Sequence, residues 1–239
     1  MVDLDGRDRE VGSGGCSLKS KRIVIVGAGG QARECAWYLD EICKAPDARE
    51  QFTLVGFVVT DLARLGSMDS GDRVLGDYGW LSAHRGEVDG LVLGIGTPGA
   101  RLKVAAELEL AFPELEWPVI THPSVNLDWS SARIGRGVLL CPNVLGTVNV
   151  RVDDFAMVNF GCTLGHEAAI GRGCVVNPGA SLSGGVTLGD GVLVGAGAVV
   201  LQYRTVGAGA TVGAGAVVTK DVPAGTVVVG IPARDTGTS

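Results

Sequence analysis

The sequence is poor in aromatic and in basic residues. Only 5% of its 239 residues are Phe, Trp or Tyr, and 20 Lys and Arg stand against 26 Asp and Glu, for a net charge of -6. An acidic chain without a basic excess offers no surface suited to phosphate backbones, so we expect no nucleic-acid partner. No run of eighteen apolar residues is uninterrupted, and no basic and hydrophobic leader begins the chain. These absences predict a cytoplasmic protein that inserts into no membrane.

Cysteine and histidine are too sparse to suggest a metal site. The cysteines form no C-x-x-C pair, which favours free structural thiols over disulfides or metal ligands. They are Cys16, Cys35, Cys43, Cys141, Cys162 and Cys174. Only three histidines occur, at His84, His122 and His166. We therefore expect no bound metal.

What the sequence has is a period of six. Fifteen positions spaced six apart, from Ile134 to Val218, carry an aliphatic residue in every case except Gly146. The position four residues after each of them carries a small residue or valine, except at Arg204. This period fits neither the 3.6-residue helix nor the two-residue alternation of a strand. It predicts short strands separated by corners, with one aliphatic and one small side chain pointing inward from each hexapeptide.

Glycine follows many of these aliphatic positions and indicates the corners. A chain that turns every six residues benefits there from a residue that tolerates unusual φ. The glycines are Gly135, Gly165, Gly171, Gly189, Gly195, Gly207 and Gly213. Three hexapeptides make one triangular coil of eighteen residues, so fifteen hexapeptides predict five coils, stacked about 4.8 Å apart. The fold predicted for residues 121–234 is a parallel β-helix.

The part before residue 120 shows a different pattern. Buried-strand runs alternate with helical segments, which predicts a Rossmann-like α/β domain with a parallel sheet over residues 21–120. The predicted strands and helices are Lys21–Val26, Gln31–Ile42, Phe52–Val59, Gly90–Gly96 and Arg101–Ala111. Residues 1–20 and 235–239 show no periodicity, and we expect both to be disordered tails.

A glycine turn, Gly27–Gly30, joins the first predicted strand to the first predicted helix. Backbone N–H groups of such a turn, together with the helix N-terminus, can hold a phosphate. The third glycine of the dinucleotide fingerprint is absent, because Ala32 stands at its place and Arg33 follows it. A tight turn without a ligand therefore stays open as an alternative.

Several motifs occur together in one order along the chain. They are Ile25–Gly30, Thr121–Ser124, Val158–Glu167, Asn177–Ala180, Ser183–Val186 and Gly230–Arg234. In this combination the chain, from Lys21 to Arg234, resembles the sialic acid O-acetyltransferase and bacillosamine-type amino-sugar N-acetyltransferase family of hexapeptide acyltransferases. The resemblance implies a left-handed β-helix and a homotrimer. It also implies an acyl-CoA held between the triangular β-helices, or prisms, of neighbouring subunits, and a sugar nucleotide held partly by the N-terminal domain.

The resemblance implies that His166, the one histidine within the repeat, is the general base. An imidazole, with an ordinary pKa of about 6.5, can take the proton that an attacking amine or hydroxyl must lose. Glu167 matches the carboxylate that raises the basicity of this histidine. Eighteen residues after His166 stands Gly184, whose N–H would face the developing oxyanion of the thioester. Without the resemblance, the first two would be a solvated surface pair and Gly184 a corner glycine.

Ligand-binding positions follow from the same resemblance. Ala196 and Ala214 match backbone contacts to the pantetheine arm of CoA, and Arg234 could meet a CoA phosphate. Val175 stands where the N-acetyltransferase branch has a second histidine that contacts the acyl-CoA. The implied substrate-binding positions are Gly29, Gly30, Gln31, Thr60, Asp61 and Asn159.

Three positions depart from the family pattern and concern ligand contacts. Besides Val175, Gln31 replaces a histidine found in many relatives, and the acidic pair after the second strand falls on Val59 and Thr60. We expect transfer of acetyl from acetyl-CoA to the amine of an amino sugar, nucleotide-linked as in the family. Sugar O-acetylation stays open, as does a non-catalytic sugar-nucleotide-binding or scaffold protein. A zinc hydratase on the same β-helix would need three histidine ligands between coils, and the repeat contains one.

Overall fold

The computed structural model describes residues 19–46, 50–67, 69 and 71–237. Most of the predicted N-terminal tail, including Cys16, and the last two residues of the C-terminal tail lie outside the described residues. Ser20 already belongs to the first strand, and Asp235 to the last.

A four-stranded parallel sheet precedes the repeat, with strand order β3-β2-β1-β4. Its elements are β1 (Ser20–Val26), α1 (Gly30–Lys44), β2 (Gln51–Val58), β3 (Val74–Gly76), α2 (Tyr78–Ala83), β4 (Gly90–Leu93) and α3 (Pro98–Ala111). Short 3-10 helices span Leu62–Arg64, Gly71–Arg73 and Arg85–Glu87. The predicted strands and helices are all present, whereas β3 and α2 were not predicted. The Rossmann-like α/β architecture of this part is confirmed.

Short strands then recur along the rest of the chain. From Arg133 to Val218 two-residue strands are spaced six residues apart, as the period predicted. The strands are β5 (Ile120–Thr121), β6 (Arg133–Ile134), β7 (Leu139–Leu140), β8 (Leu145–Gly146), β9 (Arg151–Val152), β10 (Met157–Val158), β11 (Thr163–Leu164), β12 (Ala169–Ile170), β13 (Val175–Val176), β14 (Ser181–Leu182), β15 (Thr187–Leu188), β16 (Leu193–Val194), β17 (Val199–Val200), β18 (Thr205–Val206), β19 (Thr211–Val212), β20 (Val217–Val218), β21 (Val227–Val229) and β22 (Arg234–Asp235).

These strands stack into three sheets, one on each face of a triangular prism. The first face contains β5, β7, β10, β13, β16, β19, β21 and β22, the second face β8, β11, β14, β17 and β20, and the third face β6, β9, β12, β15 and β18. Paired residues such as Thr163 and Ser181 are eighteen apart, which confirms the predicted coil. The first face extends past the predicted repeat at both ends, through β5 and through β21 and β22.

The prism interior contains the two predicted sets of side chains. Aliphatic repeat residues from Leu140 to Val218 are buried there, and Ile134 is partly buried at the entry end. Small residues such as Ala156 pack beside them. Burial raises the pKa of the Cys162 thiol to about 11 and that of Cys174 to about 12. Both thiols therefore stay protonated at neutral pH, which fits a structural role.

Glycine follows the aliphatic positions for a different reason from the predicted one. None of the seven glycines has a positive φ. A β-carbon on Gly165, Gly195 or Gly207 would instead stand 2.4 Å from a backbone nitrogen of the next coil. Close approach of the stacked backbones requires glycine there, so the prediction that unusual φ selects it was wrong.

Positive φ recurs two residues later in each hexapeptide. Fourteen successive corner residues spaced six apart, from Gly137 to Gly215, have φ between 57° and 69°. Nine are glycine and two are asparagine, the residues that adopt this conformation most easily. The other three are Phe155, Glu167 and Tyr203. Each of these three carries a side chain at a backbone position that disfavours one.

A buried arginine joins the first domain to the prism. Arg101 of α3 is fully buried and donates to the carbonyl oxygens of Leu93 and Ile95 at 3.1 and 2.7 Å. Its Nε also donates to the carbonyl oxygen of Phe155, at 3.0 Å, in the corner between the third and first faces. Burial lowers the pKa of Arg101 to about 10, which leaves it protonated at neutral pH. Helix α1 packs on the first face beside this junction.

Candidate active site

His166 lies at the corner between the second and third faces, between β11 and β12. Its Nδ1 is 2.9 Å from Oε2 of Glu167, and both side chains are about half exposed. An ionised carboxylate only accepts hydrogen bonds, so Nδ1 carries the proton and Nε2 keeps its lone pair. This pair can therefore take a proton at Nε2 of His166.

Gly184 lies one coil above His166, as the eighteen-residue spacing predicted. The Gly185 N–H donates to the His166 carbonyl oxygen at 2.7 Å, which fixes the register of the two coils. A β-carbon on Gly184 would stand 2.2 Å from Nε2 of His166, so the imidazole lies directly across this glycine. Within the described part of the chain the Gly184 N–H has no acceptor. A free backbone donor is thus present beside the imidazole.

Tyr203 completes this corner from the opposite side, and sequence reasoning missed it. A β-carbon on Gly185 would stand 2.3 Å from Cδ1 of Tyr203, so the phenol ring lies across Gly185. The ring centroids of Tyr203 and His166 are 6.4 Å apart, with planes inclined by 60°. Tyr203 is 64% exposed. The sequence feature that could have indicated this contact is the spacing of eighteen residues, one coil, between Gly185 and Tyr203.

Five of the six predicted substrate-binding residues lie around the carboxyl edge of the first-domain sheet. A cavity of about 230 Å³ opens there, and Thr60 and Asp61 line it. Gly29 and Gly30 stand beside it, as the N-cap and first residue of α1, and Gln31 follows in the first turn. The other lining residues are Val26, Gly27, Ala28, Val59, Leu65, Asp69, Ile95, Ala100 and Val104. Of these, Asp69 adds a carboxylate that the sequence did not indicate.

None of the predicted acyl-CoA residues lies at the corner of His166. Ala196 and Ala214 are exposed, one coil apart, at the corner between the first and second faces. Arg234 is exposed in β22, near the end of the prism. Asn159, which was predicted to bind the acceptor substrate, also lies at a corner between the first and second faces and is only 5% exposed. In one chain the second face therefore separates the alanines from His166.

Val175 reaches neither corner. It lies in β13 on the first face and is fully buried in the cluster that also contains Cys35 and Leu39 of α1. A side chain covered by the first domain has no access to a bound ligand. This burial removes Val175 from the predicted acyl-CoA contacts.

Comparison with solved structures decides the family. PerB from Caulobacter crescentus, solved with CoA and GDP-perosamine, is 30% identical over 92% of this chain and 100% of PerB, with a TM-score of 0.80. The chain belongs to the bacillosamine-type amino-sugar N-acetyltransferase family. Its residues 167–202 also match the family model described as bacterial transferase hexapeptide (six repeats).

Two further solved structures are similar to this chain over most of its length. A histidine-to-alanine variant of GDP-perosamine N-acetyltransferase from Caulobacter crescentus is 28% identical over 92% of this chain and 99% of its own, with a TM-score of 0.69. The acetyltransferase domain of PglB from Neisseria gonorrhoeae is 27% identical over 90% of this chain and 100% of its own, with a TM-score of 0.63. No curated protein sequence matches significantly. The prism is the left-handed parallel β-helix of the family, and the chain is an acyl-CoA-dependent acetyltransferase.

The other two histidines of this acetyltransferase lie away from the His166 corner. His84 stacks on Trp80, with ring centroids 4.2 Å apart, and His122 packs against Trp37 and Tyr38. Among the described residues no group of three His, Cys, Asp or Glu side chains is arranged to hold a metal ion. The described helices are also too short or too polar for any of them to cross a bilayer.

Proposed function

We propose that this enzyme transfers the acetyl group of acetyl-CoA to the amine of a nucleotide-linked amino sugar, with His166 as the general base. The observation that carries the proposal is the arrangement at one corner of an imidazole with a free Nε2, held at Nδ1 by Glu167, beside the unpaired N–H of Gly184. PerB, a family member solved with CoA and GDP-perosamine, supports both substrates.

In the proposed reaction the acceptor amine attacks the thioester carbonyl and forms the new C–N bond. Nε2 of His166 takes the proton that the amine loses, while Glu167 keeps the other ring nitrogen protonated and in place. The Gly184 N–H donates to the oxyanion that develops on the carbonyl oxygen. The C–S bond then breaks, the imidazolium returns its proton to the sulfur, and the products are an amide and free CoA.

The proposed site for the nucleotide is the cavity at the carboxyl edge of the first-domain sheet. Thr60 and Asp61 line this cavity, and the glycine turn before α1 presents backbone N–H groups beside it. In this proposal residues 21–120 hold the nucleotide and residues 121–234 perform the transfer. Acylation of nitrogen rather than oxygen is supported by the relative named as GDP-perosamine N-acetyltransferase.

The proposed assembly is a cytoplasmic homotrimer whose active sites lie between neighbouring prisms. His166 and Ala196 occupy opposite edges of the second face, so one ligand can approach both edges most directly where two prisms meet. Leu145, Val148 and Phe160 expose 50%, 46% and 45% of their surface on this face and at its corners. Exposed apolar residues of this kind favour burial against another chain.

Thiol release from acetyl-CoA across a panel of nucleotide-linked amino sugars tests the proposal. Each amino sugar is paired with the analogue that carries a hydroxyl in place of the amine. We expect thiol release with at least one amino sugar, little with its hydroxyl analogue, and a product whose mass spectrum locates acetyl on nitrogen. Release with hydroxyl sugars alone would establish O-acetylation instead. No release with any acceptor would overturn the assignment of the substrate class.

A further inference from the structure

Tyr203 is at a corner position where the repeat otherwise uses glycine or asparagine. A bulky residue with φ of 57° has a cost in backbone free energy that glycine does not have. The other two exceptions have side-chain contacts that explain this cost. Phe155 is fully buried and packs edge-on against Trp117, and Glu167 holds His166. Tyr203 is mostly exposed, so burial does not explain its presence.

The contact of Tyr203 with His166 supplies a different explanation. The imidazole rises from the coil of His166 across Gly184, and the phenol descends from two coils above across Gly185. The two rings therefore approach each other from opposite directions over a pair of adjacent glycines. Their centroid distance of 6.4 Å and inclination of 60° lie in the range of edge-to-face ring pairs.

We infer that Tyr203 is a positioning residue for His166, an inference that rests on the proposed function. Glu167 restrains the imidazole at Nδ1, but half of the His166 side chain is exposed and one side of the ring faces the next coil. The Tyr203 ring closes that side and keeps Nε2 over Gly184. No hydrogen bond of the described residues involves the Tyr203 hydroxyl, so the ring itself performs this role.

Three variants separate the effect of the Tyr203 ring from the effects of its backbone conformation and of its hydroxyl. Tyr203→Gly removes the ring at a φ that glycine adopts without strain, so folding of the corner is preserved. Tyr203→Phe keeps the ring and removes only the hydroxyl. Asn143→Gly is the matched control, because Asn143 has φ of 58° at a corner between the first and second faces. Asn143→Gly therefore introduces glycine at the same backbone conformation, at a corner that does not contain His166.

Steady-state kinetics with acetyl-CoA and the accepted amino sugar give the first readout. We expect Tyr203→Gly to lower kcat by about tenfold or more, because a small misplacement of the base slows the chemical step while binding is kept. KM for both substrates should change less than about threefold. Tyr203→Phe and Asn143→Gly should retain nearly the wild-type kcat. A change in KM alone would show that Tyr203 contacts substrate instead of positioning the base, and an unchanged kcat would also overturn the inference.

The imidazole resonances of the ligand-free protein give a second readout that needs no activity. The chain has three histidines, so the ring signals that disappear from the spectrum of His166→Ala are those of His166. We expect Tyr203→Gly to shift the His166 ring signals, and Tyr203→Phe and Asn143→Gly to leave them near their wild-type positions. Unshifted signals in Tyr203→Gly would refute the ring contact. If wild-type protein acetylates no acceptor, the proposed function fails while these spectra still decide whether Tyr203 holds His166.

Discussion

The imidazole of His166 occupies the place where a side chain at Gly184 would begin. The 2.2 Å between Nε2 and an ideal β-carbon on Gly184 is far below any real contact, so even a methyl group there displaces the ring. The atoms involved are the end of a movable side chain, not backbone. The lack of a side chain at Gly184 is therefore a requirement of the base more than of the corner.

Gly184→Ala should inactivate the enzyme without unfolding it. The methyl group displaces Nε2, so we expect kcat to fall by at least about tenfold. The melting temperature should change by only a few degrees, because the imidazole can swing outward. Gly195→Ala is the matched control, since its β-carbon would stand 2.4 Å from the backbone nitrogen of Ala214 and should destabilise the prism. Unfolding of Gly184→Ala to the same extent would show that Gly184 is needed only by the corner.

His166→Ala should abolish acetyl transfer and leave acetyl-CoA binding largely intact. Loss of a positioned general base lowers kcat by about a hundredfold or more. Titration calorimetry with CoA measures the binding that should remain. Glu167→Gln should cause a smaller loss, because Glu167 orients the ring and receives no proton from the substrate. His84→Ala, whose ring stacks on Trp80, is the control. Wild-type turnover of His166→Ala would exclude it as the base.

Filling the first-domain cavity should weaken binding of the sugar nucleotide alone. Ala100 lines the 230 Å³ cavity from the exposed side of α3, so Ala100→Trp fills it without disturbing the core. We expect KM for the sugar nucleotide to rise by about tenfold or more, with KM for acetyl-CoA unchanged. Lys103→Trp places the same side chain on an exposed position of α3 outside the cavity and should have little effect. An equal rise in both KM values, or in neither, would contradict the assignment of this cavity.

Light scattering should report a homotrimer of 73.5 kDa, three times the 24.5-kDa chain. If each active site is shared, mixing His166→Ala chains with Ala196→Trp chains should restore part of the activity. Some interfaces would then combine an intact His166 with an intact groove at Ala196. A fully active monomer would refute the trimer. Demonstrated subunit exchange without recovered activity would locate the whole site within one chain.

The sequence predicted most of the prism because its constraints are periodic. Each coil repeats the same packing, so the inward aliphatic residues from Leu140 to Val218 could be read from spacing alone. The reason for glycine at Gly165 could not, because both positive φ and close approach of backbones select glycine. The structure separates the two reasons: a β-carbon on Gly165 would meet the backbone of the next coil, whereas Gly185 has φ of 69°.

Site residues could be predicted where their positions follow from the eighteen-residue coil, and could not where the contact depends on the direction of a side chain. Adding eighteen to His166 correctly placed Gly184 one coil above it. Tyr203 was missed, because nothing in the spacing shows that an exposed ring bends back across Gly185. Val175 was assigned to the acyl-CoA from its place in the motif, but helix α1 covers it, and contacts between the two parts of the chain are invisible to a local pattern.

The fixed length of a coil determines which insertions the enzyme can survive. Eighteen residues added after Val218 would lengthen the prism by about 4.8 Å and leave His166, Gly184 and Tyr203 in place. The same eighteen residues added between Gly185 and Tyr203 would part the two rings by one coil while every strand still pairs. A single residue added between His166 and Gly184 would shift the register and remove the glycine from under the imidazole. Coils can thus be added at the end of the prism without moving the site, but the number of residues between His166 and Tyr203 must stay fixed for the site to form.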